Sequence, residues 1–198
     1  MVELVFTVGH SNRPLATFLN LLTSTGVTTV IDVRSRPRSG YAPHFNRENL
    51  EPALAERCIA SSFMGDSLGG MPSDPHFYDS EGYVLYFEVA ATDDFKAGIV
   101  RVLELASRER VAVMCGEGDP SACHRRLLVG RVLAERGVEL VHVRGDGRLQ
   151  TEEGLREAEA KKKGLAGVQT FFDVEEQEPW RSTRSAAPGR PPRSSSSS

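Results

Sequence analysis

Short apolar runs rich in β-branched residues alternate with segments of helical periodicity, and that alternation constrains the fold more than any other feature of the chain. "LVFTV" (4–8), "TTVIDV" (28–33), "RVAVMC" (110–115) and "VELVHV" (138–143) each read as a buried strand. Between the first two, Leu15, Phe18, Leu19 and Leu22 recur at i, i+3, i+4 and i+7, behind Pro14 and ahead of Gly26. That is an amphipathic helix with a start and a stop. "DDFKAGIVRVLELAS" places Phe95, Ile99, Val102, Leu103 and Ala106 on one face. "SACHRRLLVGRVLAERG" (121–137) reads as a further helix, with Asp119 as its cap and Pro120 at its first position. Strands alternating with helices predict an α/β fold: a three-layer sandwich with a mostly parallel sheet flanked by helices.

The weaker signals fill in around this frame. Asn46 can cap a helix over "RENLEPALAERC", provided Pro52 lies in its first turn. "IASSFM" reads as a strand, and "YVLYFEVA" (83–90) as a strand or the lead into the next helix. Residues 34–46 hold Pro37, Gly40 and Pro43 and form a loop of about a dozen residues, a length that often carries function. Residues 1–150 read as one α/β domain, 151–179 as a polar helical extension, and 180–198 as a basic Ser/Pro/Arg tail of disordered composition.

Charge narrows the function classes. The net charge is −3, but the stretch 180–198 carries four arginines and no acid, which leaves −7 for the rest. A folded part of that sign excludes nucleic-acid binding driven by bulk charge. Nucleic acid stays open as a partner through the tail or a local phosphate site. The chain has no run of about 18 apolar residues, so no membrane span is expected. "MVELVFTVGHSN" does not read as a signal peptide, and three cysteines fit no disulfide framework. These features predict a reducing, cytoplasmic setting.

In parallel α/β sheets ligands sit at the carboxyl ends of the strands. The residues just past the clearest strands are His10 and Ser11, then Arg34 with the long loop, then Cys115 through Asp119. These are the chemically rich stretches of the chain. Asp32, inside its strand, needs a partner, and Arg34 two residues on shares its side, so the pair is expected to brace the loop.

"AVMCGEGDPSACHRRLL" (112–128) admits four readings. Cys123 can simply pack inward. The helix N-terminus can cradle an anion, with Ser121 as a donor and one of Arg125 or Arg126 forking onto it, helped by Arg34, Arg36 or Arg38. Cys115, ahead of Gly116 and Gly118, can be a nucleophilic thiol. The phosphatase pattern of cysteine, five residues, arginine fails, because the sixth residue after Cys115 is Ser121. "VIDVRSRP" followed by "VAVMCGEG" has some likeness to a rhodanese. Finally, Cys115, Cys123, His124 and His10 can be drawn together as a zinc site. Against that, the chain has no Cys-x-x-Cys pair, and neighbouring Cys123 and His124 diverge if both are helical. The expectation is therefore no metal and no cofactor.

"TVGHSNRPLATFLNLL", "VIDVRSRPRSGYAPHFNRENL", "SFMGDSLGG" and "VAVMCGEGDPSACHRRLL" followed by "RGVELVHV" together resemble the blocks of the bacterial and archaeal family catalogued as domain of unknown function 488. The resemblance runs over roughly residues 4–145. It implies an α/β fold and a pocket built from these blocks, on His10, Ser11, Asp32, Arg34, Arg38, Asn46, Cys115, Glu117, Cys123, His124 and Arg125, and implies no particular reaction.

These readings converge on an enzyme that binds a small anionic, phosphate-bearing ligand at the strand ends. His10, Cys115 and Glu117 are its catalytic candidates. Ser11, Arg34, Arg38, Asn46, Ser121, His124 and Arg125 are its ligand-binding candidates, with Asp32 as a brace. A rhodanese-like sulfurtransferase using Cys115 and a non-catalytic nucleotide- or nucleic-acid-binding module remain open beside it.

Overall fold

The computed structural model describes residues 3–162 and 180–185. Its strands are β1 (Leu4–Gly9), β2 (Thr29–Asp32), β3 (Ala60–Phe63), β4 (Tyr83–Leu85), β5 (Val111–Cys115), β6 (Glu139–Val143), β7 (Leu149–Thr151) and β8 (Arg181–Ser185). Six of them form one sheet in the order β3-β2-β5-β1-β6-β7, parallel throughout except for β7. The helices are α1 (Leu15–Ser24), α2 (Arg47–Ala55), α3 (Gly65–Leu68), α4 (Tyr86–Ala91), α5 (Asp93–Ala106), α6 (Arg131–Glu135) and α7 (Glu152–Lys162).

The period-2 alternation of the strands builds two cores. Val5, Ile31, Val111 and Val113 face α5 and α6 through Phe95, Ile99, Val102 and Leu133. Phe6, Val8, Val30 and Ala112 face α1 and α2 through Phe18, Leu22, Leu50 and Leu54. The result is a three-layer α/β sandwich. Every residue of β5 is buried, as expected of a central strand covered on both faces, and that is why its sequence is a continuous apolar run.

The connections create a crevice. The chain leaves β1 for β2 across one face, through α1, and leaves β5 for β6 across the other, through α6. Two neighbouring strands whose connections depart in opposite directions leave a gap at their carboxyl ends.

Several elements differ from the sequence reading. Residues 121–137 are not one helix. Asp119 caps a single 3-10 turn (Pro120–Ala122), Cys123 is extended (φ −105°, ψ 136°), and a wide turn over Arg125–Gly130 precedes α6. The segment 83–90 splits into three residues of β4 followed by α4. Asn46 occupies the cap position of α2, but its Oδ1 accepts a hydrogen bond from the Ser39 N–H (2.7 Å) instead of capping. Pro52 lies inside α2, beyond the first turn.

The tail expectation is corrected for residues 181–185, which pair with β4 as β8. Trp180 Nε1–H donates to the Leu127 carbonyl (2.7 Å), and Arg181 pairs with Asp79 (2.6 Å) and Glu81 (3.0 Å). Composition does not register such long-range partners. The rest of the tail, and the extension after Lys162, lie outside the described residues.

The described part of that extension, α7, is fixed by a buried charge cluster. Glu152 accepts hydrogen bonds from Arg126, Arg156 and His142, each at 2.9 Å, and Glu159 accepts from Arg126 at 2.8 Å. Thr7 Oγ1 lies 2.7 Å from His142 Nδ1 and holds that histidine in its structural place. Burial alone would raise the Glu152 carboxyl, but His142 and Arg126 overcome it and hold it down at about 2, against an ordinary 4.5. Between those two pH values the unfolded chain binds the extra proton and the folded chain does not. The contribution is therefore complete above about pH 4.5 and is lost as the pH falls towards 2, at most about 3 kcal/mol. Urea melts of the wild type from pH 5 to pH 2.5 will show this loss, and Glu152→Gln will flatten it.

Among the described residues no helix is long and apolar enough to cross a membrane.

Candidate functional site

A cleft of about 380 Å³ opens at the carboxyl ends of β1, β2 and β5. His10 enters from β1, Arg34, Ser35 and Arg36 from the loop after β2, and Cys115, Gly116 and Glu117 from the end of β5. Gly70, Met71 and Tyr86 form one wall, with His124 and the β8 residues Ser182–Arg184 completing it.

Close backbone packing sets the floor. His10 N–H donates to the Cys115 carbonyl (3.0 Å) and Ser11 N–H to that of Gly116 (2.8 Å). A Cβ on Gly9 would fall 1.8 Å from the Glu117 carbonyl oxygen, so glycine is required there for the loop to lie on β1. Ser11 adopts a left-handed conformation (φ 52°) that turns its carbonyl back to accept from His10 Nδ1 (2.6 Å). That bond places the proton on Nδ1 and leaves Nε2 to accept from Arg34 Nη1 (3.1 Å). The ring stacks on Phe45 at 4.3 Å. Burial, reinforced by the Arg34 charge, pushes His10 down to about 4, so it is neutral at pH 7 with its lone pair engaged.

Arg34 is nearly saturated. It holds Asp32 in a fork (2.9 and 2.6 Å) and donates to the Phe45 carbonyl (2.9 Å) as well as to His10. Arg125, fully buried, donates to the carbonyls of Glu117 and Gly118 (2.5 and 3.1 Å) and clamps the loop from behind. Arg126 is committed to Glu152 and Glu159. Arg38 points to Glu48 at the surface (3.2 Å), outside the cleft. Ser121 N–H is used by the Asp119 side chain, and neither Ser121 nor Asn46 reaches the cleft. His44 contacts the Arg13 carbonyl (2.9 Å) instead of the cleft.

The thiols meet at the floor, where Cys115 lines the cleft and Cys123 lies behind it. Donor atoms of Cys115, Cys123 and His124 all lie within 4.8 Å of one another, and Cys115 Sγ is 3.5 Å from His124 Nδ1. Cys123 and His124 do not diverge as they would if both were helical, because Cys123 is extended and helical geometry begins only at His124. A hydrogen bond from Cys123 holds the Cys115 thiol below its ordinary range, outweighing burial, with Arg125 assisting. Burial drives Cys123 well above its ordinary value. For His124, burial acts downward, but Cys123, the Val33 carbonyl and Glu117 raise it overall.

Two cleft residues were not legible as site residues. Tyr86 lies in a segment that reads as a strand or the lead into a helix, and Arg184 in a tail that reads as disordered. Tyr86 is buried beside both thiols and Glu117, and burial together with those neighbours raises its phenol, which therefore stays protonated. Arg184 Nη1 lies 3.8 Å from Glu117 Oε1.

Comparison with known proteins bears on the family alone. No curated protein and no solved structure matches the chain. The family model described as "Domain of unknown function DUF488" matches residues 14–132, which include Arg34, Cys115, Cys123, His124 and Arg125, while His10 and Ser11 lie just ahead of it. With most of its length inside that match, and with the fold and cleft its sequence blocks imply, the chain belongs to the DUF488 family.

Proposed function

We propose that this DUF488 chain is an enzyme whose cleft takes a small anionic, phosphate-bearing ligand such as a nucleotide, in a reducing cytoplasmic setting. The observation that carries the reading is the convergence of three strand ends on one cleft with Arg36 and Arg184 at its rim. Arg34, whose donors are nearly all spent on protein acceptors, shapes the cleft wall, and Arg125 holds the Glu117 and Gly118 carbonyls from behind it. The two rim guanidiniums hold the anion. Glu117, in the cleft and only loosely paired with Arg184, is the group placed to move a proton. His10 positions the ligand through its ring and through Arg34, because its lone pair is engaged.

The test uses pyrophosphate as probe. Saturable binding to the wild type is expected to weaken at least about tenfold in an Arg36→Ala/Arg184→Ala double variant. Glu117→Gln will keep or improve binding, since a carboxylate beside the anion is removed. Arg101→Ala, at an exposed position of α5 that does not line the cleft, will leave binding unchanged. Equal binding by the wild type and the double variant contradicts the reading.

One observation favours a second reading. Cys115 lines the cleft with its sulfur 3.5 Å from an imidazole nitrogen, a nucleophile-and-base arrangement that a sulfurtransferase would use. That reading requires a persulfide on Cys115, seen as a mass gain of about 32 Da, one sulfur atom, that is lost in Cys115→Ser.

A further inference from the structure

We propose that Cys115 Sγ, Cys123 Sγ and His124 Nδ1 form a binding site for a thiophilic divalent metal ion, zinc by preference, with the fourth coordination position open to the cleft. The metal site rests on its own geometry. Only the use of its open position depends on the cleft being a ligand site.

Four observations point to it. First, the three donor atoms already lie within 4.8 Å of one another. Zinc–sulfur and zinc–nitrogen bonds of about 2.3 and 2.05 Å at a tetrahedral angle require an S···N separation of about 3.6 Å. The observed Cys115 Sγ to His124 Nδ1 distance is 3.5 Å. Second, His124 Nε2–H donates to the Val33 carbonyl (2.9 Å). That bond fixes the ring and directs the Nδ1 lone pair at the sulfurs, the outer-partner arrangement usual for metal-bound histidine.

Third, the backbone is shaped to the cluster. Extended Cys123 followed by helical His124 lets adjacent side chains meet. Gly70 lies flat on the imidazole, where any Cβ would fall 2.4 Å from His124 Cγ. Fourth, both cysteines are buried, at 6% and 0% exposure. A divalent ion with two thiolates and a neutral imidazole is uncharged overall, and so suits a buried site.

Among the described residues no carboxylate or further sulfur joins this group. Three protein donors mark a site that keeps a position for water or substrate, whereas closed structural sites use four. Cys115 and His124 line the cleft and Cys123 does not, so the open position faces the cleft. A phosphoryl or carboxylate oxygen held by Arg36 and Arg184 lies on that side. On binding, the metal replaces the two thiol protons, which leave to solvent.

The test is metal titration of the full chain, freed of metal by a chelator and kept reduced. One equivalent of zinc is expected to survive dialysis. Cobalt(II) in its place is expected to give thiolate-to-metal charge-transfer absorption with tetrahedral ligand-field bands. Cys115→Ser and Cys123→Ser will each weaken zinc binding at least about 100-fold, more than the loss of an outer partner causes. Cys58→Ser, at an exposed position, will not.

Failure of the wild type to retain zinc, or cobalt binding without the thiolate charge-transfer band, overturns the proposal. Both readouts come from the wild type, so they hold even if a cysteine variant fails to fold. Pyrophosphate titration of the metal-free wild type separates the two ideas. Saturable binding there with no zinc retention removes the metal and keeps the cleft. Zinc retention without any pyrophosphate binding keeps the metal and removes the cleft reading.

Discussion

Substituting Asp32 by alanine will destabilise the folded chain by about 3–5 kcal/mol, the usual cost of removing one partner from a buried ion pair. Asp32 and Arg34 are 7% exposed each, and the fork between them uses both carboxylate oxygens. Asp32 Oδ1 also accepts the Arg34 backbone N–H at 3.0 Å. Without the carboxylate, a guanidinium is left in the interior with the Phe45 carbonyl and the His10 imidazole as acceptors and no counter-charge. The effect reaches beyond stability. Arg34 Nη1 links the Phe45 carbonyl to His10 Nε2, so a released guanidinium loosens the long loop and the histidine together. Asp32→Asn will cost less, because the amide oxygen still accepts. Replacing both partners, as Asp32→Leu with Arg34→Met, will restore much of the stability and none of the cleft. Urea denaturation of the four proteins checks the order wild type, double variant, Asp32→Asn, Asp32→Ala. A cost under about 1 kcal/mol for Asp32→Ala would place the pair among surface bridges.

Arg125→Met is expected to cost about 2–5 kcal/mol, from two carbonyls deprived of their donors in the interior. Methionine matches the stem of arginine, so the loss reports the clamp and not a cavity. The carbonyls of Glu117 and Gly118 then have no guanidinium to hold them over β1, and the loop from Gly116 to Asp119 opens. The same variant removes a positive charge that helps hold the Cys115 thiol down, so alkylation of Cys115 will need a higher pH. Arg125→Lys will recover little, since one ammonium does not reproduce a fork onto two carbonyls. Denaturation and the pH profile of iodoacetamide labelling are the two measurements.

The legible parts of the fold were those determined by local pattern. β1, β2, β5 and β6 are covered on both faces or nearly so, and their apolar runs announce it. The helical stripe of Leu15, Phe18, Leu19 and Leu22 is likewise written in the chain. β7 and β8 are short and polar, and form because distant partners accept them: β6 for the first, Asp79, Glu81 and Tyr83 for the second. Nothing in "RSTRS" itself encodes that pairing.

The site divides the same way. The rule that ligands sit at strand ends led to His10, Arg34, Cys115 and Glu117, and these do meet in one cleft. Which arginines are spent and which face solvent was not legible, because that depends on acceptors brought from elsewhere: Asp32 and the Phe45 carbonyl for Arg34, the loop carbonyls for Arg125, Glu48 for Arg38. The meeting of Cys123 and His124 was hidden for a different reason. A single extended residue at the head of a helical pattern reverses where two neighbouring side chains point, and periodicity averages over it.

In the proposed function one cleft at the ends of β1, β2 and β5 receives a small anion. Amide chemical-shift mapping by NMR during titration with pyrophosphate checks this. Saturable shifts are predicted together at His10, Ser35, Gly116, Glu117 and Arg184, with one dissociation constant shared among them. Shifts confined to the neighbouring cleft around Arg126 and Trp180, or linear drift without saturation, would contradict it.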